Sequence, residues 1–322
     1  MKISLLSAVM AAALASHAAL VPAQDFPSQP IRVIVPFPPG ASTDVVTRLV
    51  AEDMRQTLGQ SVLVENRVGA TGVIGMSFLT RAPADGYTIG LGNEATHVTV
   101  PLLRKQPPYD SLKDFTPLTV AIRTTMAIGI NPSVLPVRTL AELIAASKAR
   151  PQGISFGTAG AGSPQQLIGE MLSQRTGGNF VHVPYTGATP AANDLIAGHI
   201  PMMIATLQAL LPHRDKVTIL AIGDAERSAF LPDVPTISET VPDFVVGGWS
   251  GFFGPPNMPP AIAARLNTAL VAALHKPAIV EAIKKQSMDA AGTPADELRK
   301  TVAGGLTRWA PVIERANIAK QD

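Results

Sequence analysis

The chain contains no cysteine. Disulfides, thiol nucleophiles and thiolate metal sites are therefore excluded, and the fold must rest on its apolar core. Aromatic residues are only 5% of the chain, which gives little material for a base-stacking surface. Charge of either sign is not concentrated: 26 Lys and Arg face 24 Asp and Glu, a formal net charge of +2. These residues are scattered, so there is no nucleic-acid footprint. Beyond the N-terminus no apolar run reaches the length of a membrane-spanning helix. The histidines after the first twenty residues, His97, His182, His199, His213 and His275, include no pair at metal-ligand spacing. A Gly-x-Ser-x-Gly elbow is missing too, since Gly160-Ala161-Gly162-Ser163 lacks the flanking glycine. No catalytic group, metal or cofactor is expected.

What is present begins with a leader. Met1-Lys2 precede an apolar stretch over residues 3–15, and Val21-Pro22-Ala23 puts small residues at −3 and −1 before Gln24. This reads as a secretory signal over residues 1–23, cleaved after Ala23. The rest is long enough for one large or two modest domains.

The apolar run Ile31-Arg32-Val33-Ile34-Val35 leads through Pro36-Phe37-Pro38-Pro39-Gly40 into residues 44–58, which carry apolar residues at helical spacing. Gly40 supplies backbone conformations closed to other residues, and Ser42, Thr43 or Asp44 is expected to cap the helix. Strands over 61–66 and 87–91, with a short helix between them ending at Leu79, complete a βαβαβ unit of parallel strands. Residues 92–118 read as irregular, and 119–130 as a strand crossing into a second region. That region holds a helix over 137–148 with Thr139 as N-cap, then strands over 154–156 and 180–184. Ser163-Pro164 and Thr189-Pro190 each read as an N-cap followed by Pro at the first helical position. Strands over 200–205, 218–222 and 247–253 follow, the last returning to the first region. Helices over 261–274, 278–285 and 294–315 end the chain.

Three strand–turn–helix starts thus fall at 40–44, 157–163 and 185–189. In open α/β sheets such turns lie at the carboxyl ends of the strands, where ligands bind. Free N–H groups and the positive end of a helix dipole suit an anion there. One Gly-rich stretch, Gly69-Ala70-Thr71-Gly72-Val73-Ile74-Gly75, imitates a dinucleotide loop. It follows the second strand of the unit with Arg67 and Val68 between, and Asp85-Gly86 downstream reads as a turn rather than a ribose-binding acid, so its context is wrong.

Several ordered motifs carry a family resemblance: Phe26-Pro27-Ser28-Gln29-Pro30-Ile31-Arg32, the Val35–Gly40 turn with Asp44, Val64-Glu65-Asn66-Arg67 and Ala84-Asp85-Gly86-Tyr87-Thr88. Further on come residues 157–163, Tyr185-Thr186-Gly187 with Pro190 and Asp194-Leu195, Leu231-Pro232-Asp233-Val234-Pro235-Thr236 and Gly251-Phe252-Phe253-Gly254-Pro255-Pro256. The series resembles the Bug receptors, the TctC-like extracytoplasmic solute-binding proteins of tripartite tricarboxylate transporters. The resemblance implies a two-domain α/β fold of the periplasmic-binding-protein type II class, with a ligand cleft between the domains. Domain 1 would be 24–123 and 248–322 and domain 2 would be 124–247, the crossings lying near Thr124 and Gly247.

It further implies a periplasmic monomer that captures a small carboxylate and passes it to membrane subunits of a tripartite tricarboxylate-type transporter. A sensory receptor presenting its carboxylate to a membrane signalling protein is the alternative, and an exported enzyme a third reading. Carried over by motif, the ligand-binding residues are Pro39, Gly40, Ala41, Ser42 and Thr43 from domain 1. Domain 2 contributes Thr158, Gly160, Ser163, Thr186, Gly187, Ala188 and Thr189. Asn93 and Thr206, with Thr96 and His97, would face the far end of the ligand, and Asp194 would be a structural or distal contact in the first turn of its helix. Ala41 stands where the family usually has a second glycine, at a cost of about 1 kcal/mol if that position needs positive φ. Gln166 replaces a frequent histidine, and the chain is a few residues shorter than usual around 211–215.

Overall fold

A computed structural model describes residues 26–320. The expected signal, residues 1–23, lies outside the described residues.

The chain begins with β1 (Ile31–Val35), α1 (Ser42–Leu58), β2 (Val62–Asn66), α2 (Val73–Leu79) and β3 (Thr88–Asn93). In β1 every residue but Arg32 is buried, as an apolar run in a strand covered on both faces requires. Helix α1 turns Val46, Val50 and Met54, spaced by four, into the core, and Gly59 closes it in the left-handed conformation. Burying each of those side chains contributes about 1.5–3 kcal/mol. The expected parallel pairing is present: β1 lies between β2 and β3, parallel to both. The stretch read as irregular is more ordered than its prolines suggest. A π-helical turn, Ala95–Thr99, runs directly into α3 (Val100–Leu103) before β4 (Thr116–Thr124).

The single strand expected over 119–130 is two strands in two different sheets. β4 ends at Thr124, and β5 (Met126–Ile130) begins after Thr125. Thr125 is committed to the second sheet's side: its carbonyl accepts the Leu207 N–H at 2.8 Å, and its hydroxyl donates to Asp224. The chain continues with α4 (Leu140–Lys148), capped by Thr139 as expected, then β6 (Ile154–Thr158), α5 (Pro164–Thr176), β7 (Phe180–Pro184), α6 (Ala188–Ala197), β8 (Met202–Thr206), α7 (Leu207–Leu210) and β9 (Thr218–Ile222). It then returns through β10 (Gly248–Gly254), α8 (Pro260–Leu274), α9 (Pro277–Lys284), the three-residue β11 (Met288–Ala290) and α10 (Ala295–Arg315). Sequence periodicity cannot register a strand as short as β11.

Two sheets result, ordered β11-β4-β10-β3-β1-β2 and β7-β6-β8-β5-β9. The first is mixed, because the returning β10 inserts antiparallel between β3 and β4. Gly248 opens β10 where any Cβ would collide with the Thr124 hydroxyl, so the two crossing segments approach closely only through glycine. Each sheet is the centre of one lobe. In the first lobe, Ile31, Val33, Leu91, Leu118 and Phe252 meet Leu266 and Leu270 of α8 on one face. On the other face, Leu298, Val302 and Trp309 of α10 join Val98, Val120 and Phe253. The same buried cluster continues into Met171 and Leu172 of α5, and Gln174 Nε2 donates to the Val312 carbonyl at 3.0 Å. Helix α10 therefore joins the lobes in addition to the two crossing strands.

Candidate functional site

Strand registers decide which loops face each other. Asn93 at the end of β3 lies opposite Ser250 near the start of β10, and Thr206 at the end of β8 lies opposite Met126 at the start of β5. Both partners adjoin the crossing, and β1 and β6 run parallel to β3 and β8, so the carboxyl ends of these strands lie at the crossing end of each sheet. The candidate loops are the segments that leave these ends.

In the first lobe the turn after β1 is built by Asp44. Its carboxylate is almost fully buried and accepts from the Gly40 N–H at 2.9 Å, from Arg48 Nε and Nη2 at 3.0 Å each, and from Asn66 Nδ2 at 2.8 Å. Asn66 also donates to the Phe37 carbonyl at 3.0 Å. Burial pushes the Asp44 carboxyl up, but donors from Arg48, Gly40 and Asn66 outweigh it and hold the group below its usual range. The expected cap is thus corrected. Asp44 turns back onto the loop, and the N-cap is Ala41, whose side chain cannot cap. Ala41 has φ −62° and ψ 154°, an ordinary extended conformation, so the strain anticipated for Ala in place of glycine does not arise. The positive φ belongs to Gly40, at +80°.

An uncapped helix start leaves the N–H groups of Ser42, Thr43 and Asp44 without intrahelical carbonyls. The hydroxyls of Ser42 and Thr43 also meet no hydrogen-bond partner among the described residues, and Pro39 and Gly40 are exposed beside them. Asn93 is half-buried and locked to Thr96 by reciprocal bonds: its N–H donates to the Thr96 hydroxyl at 2.9 Å, and its Oδ1 accepts the Thr96 N–H at 3.1 Å. The Gly-rich stretch that imitates a nucleotide loop abuts this group, because Gly72 packs on Pro36 and Thr96.

His97 does not face the ligand side. It is wholly buried, stacked on Phe253 at 3.9 Å between ring centroids, and burial pushes its pKa down to about 3. Between Asn93 and Thr96, sequence reasoning missed Glu94. Its carboxylate is buried, accepts the Trp309 indole N–H at 2.7 Å, and is pushed up to about 6 by burial despite that bond and the Arg308 charge.

In the second lobe, Thr158 lies opposite Pro184, and the Tyr185 N–H donates to the Thr158 carbonyl at 3.2 Å, so the two loops lie side by side. Ser163 is the N-cap of α5 as expected, its hydroxyl accepting the Gln166 N–H at 3.3 Å. Gln166 in turn accepts the Gly162 N–H at 2.8 Å, so this residue serves the loop rather than the cleft.

Helix α6 starts earlier than Thr189-Pro190 suggested. Gly187 is its N-cap, at φ +147°, and Ala188 and Thr189 present the leading N–H groups. Pro190 is then the third helical residue, where a missing N–H removes no helical bond. Asp194 consequently sits in the last turn and not the first, about 9 Å along the axis from Ala188. Its carboxylate accepts the Tyr185 hydroxyl at 2.7 Å and contacts His199 Nδ1 at 3.2 Å, which anchors the loop from beneath. Thr186 is exposed, and Thr206 is half-buried at the end of β8.

None of the hydrogen bonds made by these loops crosses from one lobe to the other. A cavity of about 570 Å³ does lie at the crossing, but elsewhere. Thr124, Thr125, Asp224, Gly247, Asp289 and Arg308 are among its lining residues, and none of the candidate residues is.

The profile of the tripartite tricarboxylate transporter family receptor, TctC, matches residues 46–318. Protein BugT of Bordetella pertussis is 37% identical over 305 residues, covering 94% of this chain and 93% of BugT. Among solved structures, R. palustris Rpa4515 with adipate superposes with a TM-score of 0.79 at 32% identity, covering 92% of this chain and 99% of that one. MatC (Rpa3494) from Rhodopseudomonas palustris with bound malate gives 0.74 at 29% identity, covering 89% and 100%. With a family match over most of its length and relatives of the same two-lobed architecture, the chain belongs to the TctC, or Bug, family of tripartite tricarboxylate transporter receptors.

Proposed function

We propose that this protein is a periplasmic solute-binding protein that captures a small carboxylate between its lobes and delivers it to a membrane transporter of the tripartite tricarboxylate type. It is exported by removal of residues 1–23 and binds without turnover. Residues 24–123 with 248–322 form one domain and 124–247 the other. The observation that carries the reading is the uncapped start of α1, three backbone N–H groups at the positive end of a 17-residue helix, with Ala41 leaving the place of the cap open. Helix α6 supports it from the opposite lobe with the N–H groups of Ala188 and Thr189 behind Gly187. The adipate and malate held by two structural relatives are ligands of matching chemistry.

In this reading Ser42 and Thr43 grip one carboxylate with backbone and hydroxyl donors. Gly187, Ala188 and Thr189 take the opposite side, and Asn93 and Thr206 flank the ligand. Gly40, Asp44 and Asp194 shape the loops.

The test is Ala41→Asp. An aspartate with this backbone conformation caps its own helix, stabilising it by about 1 kcal/mol, and occupies the N–H groups the ligand needs. Protein refolded to strip carried-over ligand is titrated calorimetrically with malate, adipate and the corresponding amides. Wild type is expected to bind an acid and not its amide, and the variant to melt no lower yet lose binding at least tenfold. Wild-type affinity in a folded Ala41→Asp protein would remove α1 from the site.

A further inference from the structure

We infer that His182 is a positioning residue for the second-lobe loop 158–163, holding it in shape through a hydrogen-bond relay from Nε2 to the Thr158 hydroxyl to the Gly160 carbonyl. The inference rests on the proposed carboxylate-binding function and on the family-motif expectation that Thr158, Gly160 and Ser163 belong to the ligand site.

Thr158 ends β6 with its side chain wholly buried. Three groups converge on its hydroxyl: the Gly160 carbonyl at 3.1 Å, the Gly160 N–H at 3.3 Å and His182 Nε2 at 2.7 Å. A hydroxyl has one proton to give. If that proton went to His182, the contact with the Gly160 carbonyl would have no hydrogen in it. All three contacts are bonds only when Nε2 carries a proton and donates, the Gly160 N–H donates, and the hydroxyl donates to the Gly160 carbonyl. The ring is neutral over the ordinary pH range, since burial pushes its pKa down to about 4. A neutral imidazole has one N–H, so the relay selects the Nε2–H tautomer.

The ring is placed by the sheet. His182 on β7 lies opposite Phe156 on β6, and the two rings sit 5.3 Å apart. From the helix side Gln166 performs the matching task, accepting the Gly162 N–H at 2.8 Å. With Gly160 and Gly162 at φ +148° and +74°, the loop alternates its amides. Gly160 and Gly162 turn their N–H groups inward to Thr158 and Gln166. Ala159 and Ala161 keep N–H groups with no partner among the described residues, and those are the ones left for an anion. Losing the donor at His182 frees the Thr158 hydroxyl to rotate and releases Gly160, while Gly162 stays held.

The first readouts are taken on the protein with no ligand added. Nitrogen-15 NMR reads the tautomer of His182, and residue-resolved amide exchange reads Gly160 and Gly162. His182→Phe keeps a ring beside Phe156 and removes the donor; His182→Gln returns an amide N–H near the Nε2 position. The expected results are the Nε2–H tautomer, at least tenfold faster exchange at Gly160 in His182→Phe with Gly162 unchanged, and recovery of protection in His182→Gln. The Nδ1–H tautomer, or Gly160 exchange unaffected by His182→Phe, overturns the inference. Adipate is then titrated into all three proteins. Binding to wild type that weakens about tenfold in His182→Phe and recovers in His182→Gln extends the relay to the ligand. Failure of wild type to bind counts against the carboxylate reading alone, because the exchange data decide the relay separately.

Discussion

Replacing Glu94 by Gln should make the protein more stable at neutral pH and leave it almost unchanged in acid. The Glu94 carboxylate is buried with one neutral donor, the Trp309 indole at 2.7 Å, and burial raises its pKa from the usual 4.5 to about 6. The folded state therefore holds the proton more tightly than the unfolded chain. Below about pH 4.5 both states are protonated and the residue is harmless. As pH rises through 4.5 to 6 the unfolded chain ionises first, and stability falls. Above about pH 6 the full penalty is present, about 2 kcal/mol.

Glutamine keeps the acceptor for Trp309 and cannot ionise, so the gain is about 2 kcal/mol at pH 7.5, under 1 kcal/mol at pH 5 and near zero at pH 4. Near neutral pH this corresponds to roughly 4 °C for a protein of this size. Urea midpoints of wild type and Glu94→Gln across pH 4 to 8 measure it, and contributions from other groups cancel in the difference. An equal gain at every pH, or a loss at pH 7.5, would falsify the argument, since it would mean the carboxylate is not held ionised against its environment.

Other groups give further tests. His97 is held neutral down to about pH 3 by burial, whereas in the unfolded chain it takes up a proton near its usual 6.5. Stability should therefore fall as pH drops through that window, and His97→Phe, which keeps the stack on Phe253, should flatten the slope of urea midpoints between pH 6.5 and 4; an unchanged slope counts against it. Asp44→Asn removes the charge that Arg48 and the Gly40 N–H converge on. It should cost about 1.5–3 kcal/mol in urea unfolding, and a variant as stable as wild type would mean the turn after β1 holds itself. Ala41→Gly should leave carboxylate affinity unchanged, because Ala41 already has a relaxed backbone. Glycine is the better N-cap but costs more backbone entropy, so stability should change by less than about 1 kcal/mol, and a clear rise in affinity would show that alanine had been distorting the site.

Much of the architecture can be read along the chain. The alternation of strands and helices and the Ser163 cap follow from patterns within a few residues of each other, whereas the crossings near Thr124 and Gly247 came from the family resemblance, local pattern having read 119–130 as one strand. Elsewhere local signals pointed to neighbouring positions. Three capping residues in a row, Ser42, Thr43 and Asp44, hid an uncapped helix, because Asp44 is recruited by Asn66 from β2. The acid at 194 looked like a first-turn residue until the start of α6 moved back to Ala188. His97 stood in a string of polar residues after β3, yet Phe115, just before β4, and Phe253 of β10 enclose it.

By itself, then, the sequence determined which segments become strands and helices, where glycine must turn the chain, and which family motifs it carries, since these depend on contacts within one or two helical turns. Only the tertiary structure decided which N–H groups remain free. The partners that occupy the others, Asp44 for Gly40, Thr158 for Gly160 and Gln166 for Gly162, are selected by the fold among many residues able to accept them. Carboxylates such as Glu94 acquire their charge state the same way, from a burial that no local pattern records.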